Sequence, residues 1–133
     1  RTPMEWLFLV DEKMHASLRR FASLDPDTKV CCAHEYTQDN LRFAYSVEPC
    51  NKRLNERAQD VWNRRAKGES VVPSTIGLER ETNPFMRTRS SELIANVREL
   101  VPEAKLDTEG QVFAATRKLK DIKHYKSLDV PWC

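Results

Sequence analysis

Of the three histidines in the sequence, His34 has the surroundings best suited to chemistry. It follows the short apolar run Thr28 to Ala33 and precedes Glu35 and Tyr36, the setting of an imidazole at the end of a strand. There the sheet fixes the backbone while the loop leaves one ring nitrogen free for a metal ion. A single histidine is not a metal site, because zinc takes three or four protein ligands, so His34 alone reads first as an ordinary surface or core residue. Glu35 is either its support or an exposed carboxylate, and the ring of Tyr36 can cover the start of the helix that follows. His15 and His124 fall within amphipathic helical patterns. The cysteines Cys31, Cys32, Cys50 and Cys133 form no CxxC pair, and the adjacent Cys31 and Cys32 read as inert core residues of a reducing compartment. A run of cations, Arg117, Lys118, Lys120, Lys123 and Lys126, reads from the residues alone as the solvated face of a terminal helix.

The elements that must position these side chains are mostly helical. Met14, Leu18, Phe21 and Leu24 recur at helical spacing and predict a helix from Asp11 to Leu24, stopped at Asp25-Pro26. Thr28 to Ala33 is a strand that either pairs with another short strand or joins a sheet outside this sequence, in which case its edge stays exposed. Thr37 caps a helix running to Val47, and Asn51 caps one running to about Lys67, with Leu54, Ala58, Val61, Trp62 and Arg65 in its stripe and Gly68 at its end. Val71 to Thr75 is an extended crossing into a short Ser74-capped helix, broken by Asn83-Pro84. Ser90 or Ser91 opens a helix through Leu93, Val97 and Leu100. Thr108 starts the last, in which Val112, Ala115, Leu119 and Ile122 lie on one face and Arg117, Lys118 and Lys120 elsewhere.

Composition sets the class. The 133 residues are about one domain's worth, with 40% hydrophobic and 32% charged side chains, enough for a modest core. A balance of 22 cations against 20 acids, +2 overall, provides no field for nucleic acid or an anionic membrane. The apolar run Trp6 to Val10 is far short of the roughly 20 residues that span a bilayer, and it lacks the marks of a signal peptide, so a cytoplasmic protein is expected. Three glycines, none clustered, exclude a phosphate-cradling nucleotide loop.

Three segments carry a resemblance. VCCAHEYTQDNLRFAYSVEPCNKRL resembles a C-G/A-H-E-Y-T run followed by an N-[LM]-[RK]-F-A helix and a V-E-P turn, and VPSTIGLERETNPFMR resembles V-P-S-T-x-x-x-E followed by N-P-F-[LM]-R. Arg117, Lys120 and Asp121 match a terminal R-x-x-K-D. In this order and spacing, from residue 12 to residue 121, the segments resemble glyoxalase II, the hydroxyacylglutathione hydrolases.

The resemblance implies a mainly α fold: residues 1–36 as the last part of a metallo-β-lactamase-like α/β sandwich, contributing one or two short strands, and 37–133 as a helical glutathione-binding domain. It implies metal-dependent hydrolysis of an S-(2-hydroxyacyl)glutathione, such as S-D-lactoylglutathione, to glutathione and a 2-hydroxy acid in methylglyoxal detoxification. It implies a binuclear site, commonly zinc, with iron or manganese as alternatives, whose last ligand is His34. It assigns Tyr36, Arg117 and Lys120 to glutathione, the two cations to the glycine carboxylate. Such a site lowers the pKa of a bridging water and polarises the thioester carbonyl, and cations at i and i+3 suit a carboxylate. The sequence departs from the pattern in lacking the THxHxDH metal motif and in the character of Arg1 to Val10 and Leu128 to Cys133. The expectation is therefore a fragment inactive on its own, whose remaining ligands belong to an N-terminal domain not in this sequence. A non-catalytic module binding glutathione or a partner, or a degenerate remnant, is the alternative.

Overall fold

The computed structural model describes residues 3–32 and 36–132, with side chains described from residue 11. His34, Glu35 and Cys133 lie outside the described residues. Over the described residues the architecture is six α-helices, two 3-10 turns and a two-stranded sheet: α1 (Pro3–Ala22), β1 (Lys29–Val30), α2 (Thr37–Val47), α3 (Lys52–Ala66), β2 (Ser74–Thr75), α4 (Ile76–Thr82), α5 (Ser91–Leu100) and α6 (Glu109–Ile122). The fold is mainly α, as the periodicities require. Among the described residues no helix is long and apolar enough to cross a membrane.

Local signals account for the helix ends. Asn51 accepts from the Leu54 amide at 3.2 Å to open α3. Gly68, at φ 73°, closes it: the Gly68 amide donates to Arg65 and the Glu69 amide to Arg64, a Schellman pair that only a residue at ease in the left-handed region completes without strain. Thr108 and Gln111 form a reciprocal capping box at the start of α6. Two caps differ from expectation. Tyr36, not Thr37, is the N-cap of α2, without a side-chain cap bond. Thr75, not Ser74, caps α4.

The core is built on both sides of α2. On one side Phe43 and Val47 meet Leu93 and Val97 of α5 and Val112 and Leu119 of α6. On the other, Leu41 and Ala44 meet Leu54, Ala58 and Val61 of α3. The C-terminal tail closes this second cluster: Trp132 is buried there, its ring 5.0 Å from that of Tyr45 and 5.1 Å from that of Trp62. Among the described residues the tail thus has a packing role that its sequence did not announce. Each fully buried apolar side chain of this kind stabilises by about 1.5–3 kcal/mol.

Three further expectations need correction. Helix α1 starts at Pro3, not Asp11, and meets α6 through the face carrying His15 and Leu18, leaving Met14, Phe21 and Leu24 exposed. Of the expected stripe only Leu18 is partly buried, so most of it is not the face that this chain buries. Ile122 is likewise exposed because α6 ends there as the chain turns away. Cys31 and Cys32 are exposed, because the strand stops at Val30. Of the two alternatives for that strand, the structure shows the local one. β1 pairs antiparallel with β2, Lys29 opposite Thr75 and Val30 opposite Ser74, and the Gly77 amide donates to the Pro26 carbonyl beside it.

Candidate functional site

A cavity of about 440 Å³ opens between α2, the extended segment 71–74, α4 and the turn Pro84–Met86, in the size range of small-molecule sites. Phe43, Ala44, Val72 and Phe85 give it apolar walls, and Tyr36 and Lys120 reach it from opposite ends of the sequence. Its floor is a satisfied polar network. Arg57 contacts Glu79 at 3.0 Å and donates to Thr82 at 2.8 Å and Ser74 at 3.2 Å, while Asn83 donates to the second oxygen of Glu79 at 3.0 Å. These bonds tie α3 to α4 and fix the wall.

Lys120 is the cation that the fold works hardest to place. Helix α6 ends with Lys123 in the left-handed region at φ 59°, which reverses the chain into the 3-10 turn His124–Ser127 and returns Tyr125 to the core. His124 therefore lies in that turn and not in an amphipathic α-helix. The Lys120 Nζ lies 3.2 Å from Asp39 Oδ2, 3.1 Å from Asn40 Oδ1 and 3.2 Å from the Tyr125 hydroxyl, and 4.6 Å from the centre of the Tyr125 ring. Tyr125 in turn donates to Asp39 at 2.8 Å. Burial and the bond to the Asp39 carboxylate push the Tyr125 hydroxyl up to about 12. Burial alone would raise the Asp39 carboxyl, but the bonds from Tyr125 and Lys120 outweigh it and hold it below the usual carboxylate range.

The four residues expected to bind metal or ligand are placed as follows. Tyr36 lines the main cavity and also a shallower one of about 320 Å³ that Asp39, Arg42 and Arg65 share. Lys120 lines the main cavity, so it does not belong to a solvated face. Arg117 is not in that lining; its Nε is 3.3 Å from Asp121 Oδ1, and its charge opposes the rise that burial gives the Asp11 carboxyl on α1. Lys118 pairs with Glu103 on the surface at 3.1 Å. His34 falls outside the described residues. Among the described residues no three His, Cys, Asp or Glu side chains gather as a metal site.

His15 is committed to structure. Its Nε2 is 3.3 Å from the Thr88 hydroxyl, its ring lies 5.4 Å from that of Phe113, and burial pushes its pKa down.

Comparison with known proteins decides the family. Residues 35–122 match the family model described as hydroxyacylglutathione hydrolase C-terminus. The chain belongs to the hydroxyacylglutathione hydrolase family. It is 46% identical over 109 residues to the hydroxyacylglutathione hydrolase of Halorhodospira halophila, a match covering 82% of this chain and 42% of that protein. It is 45% identical over 111 residues to that of Pseudomonas entomophila, covering 84% and 42%, and 48% identical over 110 residues to that of Pseudomonas putida strain W619, covering 83% and 42%. The chain thus spans less than half the length of these curated relatives.

Two of the family-like segments meet in space. Glu48, from the V-E-P turn, is 2% exposed at its side chain and is held by Arg87 of the N-P-F-M-R segment through two bonds of 2.6 and 2.9 Å and by the Ser90 hydroxyl at 2.7 Å. In the sequence Glu48 stands out only as part of a turn and Arg87 only as the end of a motif, and Asp39, Asn40 and Tyr125 carry no assigned role. An acid in the first turn of a helix reads as a complement to the helix dipole, which hides the role of Asp39 as partner of a lysine on another helix.

Proposed function

We propose that this chain is the glutathione-binding part of a hydroxyacylglutathione hydrolase, a cytoplasmic thioesterase that releases a 2-hydroxy acid and glutathione from thioesters such as S-D-lactoylglutathione in methylglyoxal detoxification. The observation that carries the reading is that the family match over residues 35–122 contains most of the residues that line the cavity, Tyr36 and Lys120 among them. A tripeptide thioester has an apolar and a carboxylate-bearing end, and an apolar cavity with Lys120 at its wall, beside an Arg57 already paired with Glu79, suits both. Tyr36 supplies a wall and a hydroxyl, Lys120 a charge-assisted bond to the glycine carboxylate, and Arg117 longer-range attraction from the neighbouring face.

In this reading residues 1–36 end a metallo-β-lactamase-like domain and 37–133 form the binding domain. His34 contributes one ligand to a binuclear zinc site, or one of iron or manganese, and a preceding domain supplies the others. The described residues do not gather a metal set of their own. When bound, such ions generate hydroxide near neutral pH. The role of the described residues is to bind and orient the thioester.

The purified chain alone should show no hydrolysis of S-D-lactoylglutathione above background, with or without added zinc. Joined to the N-terminal portion of the Halorhodospira halophila relative it should turn the thioester over, and a chelator should abolish that turnover. Metal-dependent turnover by the chain alone, or an inert but folded and metal-loaded chimera, would overturn the reading.

A further inference from the structure

The ammonium group of Lys120 is already saturated. A lysine has three N–H donors, and Asp39, Asn40 and Tyr125 stand at 3.2, 3.1 and 3.2 Å from its Nζ. Of the three acceptors only Asp39 is a full anion, so among the described residues the one charged contact of Lys120 is to a carboxylate of the chain itself. The geometry also separates the two groups. Lys120 and Asn40 line the main cavity, whereas Asp39 lines the shallower one with Arg42 and Arg65, and Tyr36 borders both.

From this juxtaposition we infer that Asp39 is an internal stand-in for the ligand carboxylate: it occupies Lys120 in the free protein and is exchanged for the carboxylate of an incoming ligand. The inference rests on the proposed glutathione site and adds a residue that sets its selectivity. A ligand arriving through the main cavity cannot gain a full ion pair from Lys120 while Asp39 keeps its place, because like charges would share one cation. Displaced, Asp39 has a cationic environment to turn toward on its own side, where Arg42 and Arg65 line the shallow cavity. The Tyr125 hydroxyl, which donates to Asp39 at 2.8 Å, holds the resting arrangement and makes the exchange cost part of the binding energy. Asp39 thereby lowers affinity for a ligand whose carboxylate must replace it on Lys120. A neutral ligand leaves the resting pair in place and does not meet that cost.

The test is calorimetric titration of the chain with S-methylglutathione, which cannot be hydrolysed as a thioester, and with the same compound carrying a glycine amide in place of the carboxylate. Asp39→Asn keeps an acceptor for Tyr125 and removes the charge; it should tighten the acid by roughly threefold to tenfold and leave the amide unchanged. In a Lys120→Ala background the same substitution should have no effect on either. Asp39→Ser, also neutral and acceptable in the first helical turn, should shift affinity in the same direction if the asparagine variant melts early. If wild type binds, Lys120→Ala loses affinity, and neutralising Asp39 leaves binding unchanged or weaker, the exchange is wrong and the glutathione site stands. If Lys120→Ala has no effect, or no variant binds the acid, the glutathione site and the exchange fall together.

Discussion

Arg87→Ala should lower the stability of the chain by about 3–5 kcal/mol, since removing one partner of a buried ion pair leaves the other uncompensated. Glu48 is the partner left behind. Its side chain is 2% exposed, and without Arg87 only Ser90 remains within hydrogen-bonding distance among the contacts described above. The pair also links the end of α2 to the segment before α5, and Arg87 reaches the Arg80 carbonyl at 3.3 Å at the end of α4, so the loss would be felt across three helices. A drop in melting temperature of roughly 10 °C or more is expected for a chain of this size. Glu48→Gln should cost less, because the amide oxygen can still accept from Arg87 or Ser90. The double replacement by apolar residues of similar volume should recover part of the loss. Equal melting temperatures for wild type and Arg87→Ala would show that the pair is not buried in solution.

His34→Ala should reduce thioester turnover by at least about a hundredfold in the chimera that supplies the metal-bearing domain. Loss of groups that merely support a metal ligand already costs 10- to 100-fold in comparable sites, and a ligand itself should cost no less. His15 and His124 are the controls, and the structure says why they should behave differently. His15 is buried against Phe113 and bonded to Thr88, so its replacement should lower stability without changing metal content. His124 is exposed in the turn after α6 and should be silent. Metal content measured beside rate separates these cases. Equal effects from all three substitutions would remove His34 from the metal site.

What could be read in advance was what short-range physics controls. Asn51 and Gly68 bracket α3, and Thr108 opens α6, because caps and left-handed ends are decided within a few residues of chain. The stripes Leu54, Ala58, Val61 and Val112, Ala115, Leu119 fell on the buried faces for the same reason. Where periodicity offered more than one face, it did not choose correctly: α1 carries Met14 and Phe21 to solvent, with Leu24 exposed past its end, and buries a histidine instead. Tertiary contacts decided that, and no local pattern contains them.

The candidate site divides along the same line. Tyr36 and Lys120 were legible through the resemblance, and they do share a cavity. The surroundings of Lys120 were not, because Asp39 is 81 residues away in sequence and Tyr125 reaches it only after Lys123 reverses the chain. Glu48 and Arg87 were each visible as motif residues, yet their pairing across 39 residues had no sequence signature.

The central claim is that Lys120 holds the carboxylate end of a glutathione thioester, and KM for S-D-lactoylglutathione in the active chimera tests it most directly when Lys118→Ala and Lys120→Ala are compared at low and moderate salt. Lys120→Ala should raise KM by roughly tenfold, the value of one partly exposed charge-assisted bond made equally in the ground and transition states. Lys118→Ala should leave KM unchanged, since that side chain sits on the surface beside Glu103, outside the cavity lining. Equal rises for both would mean diffuse attraction by a basic helix, and no rise for either would contradict the site itself.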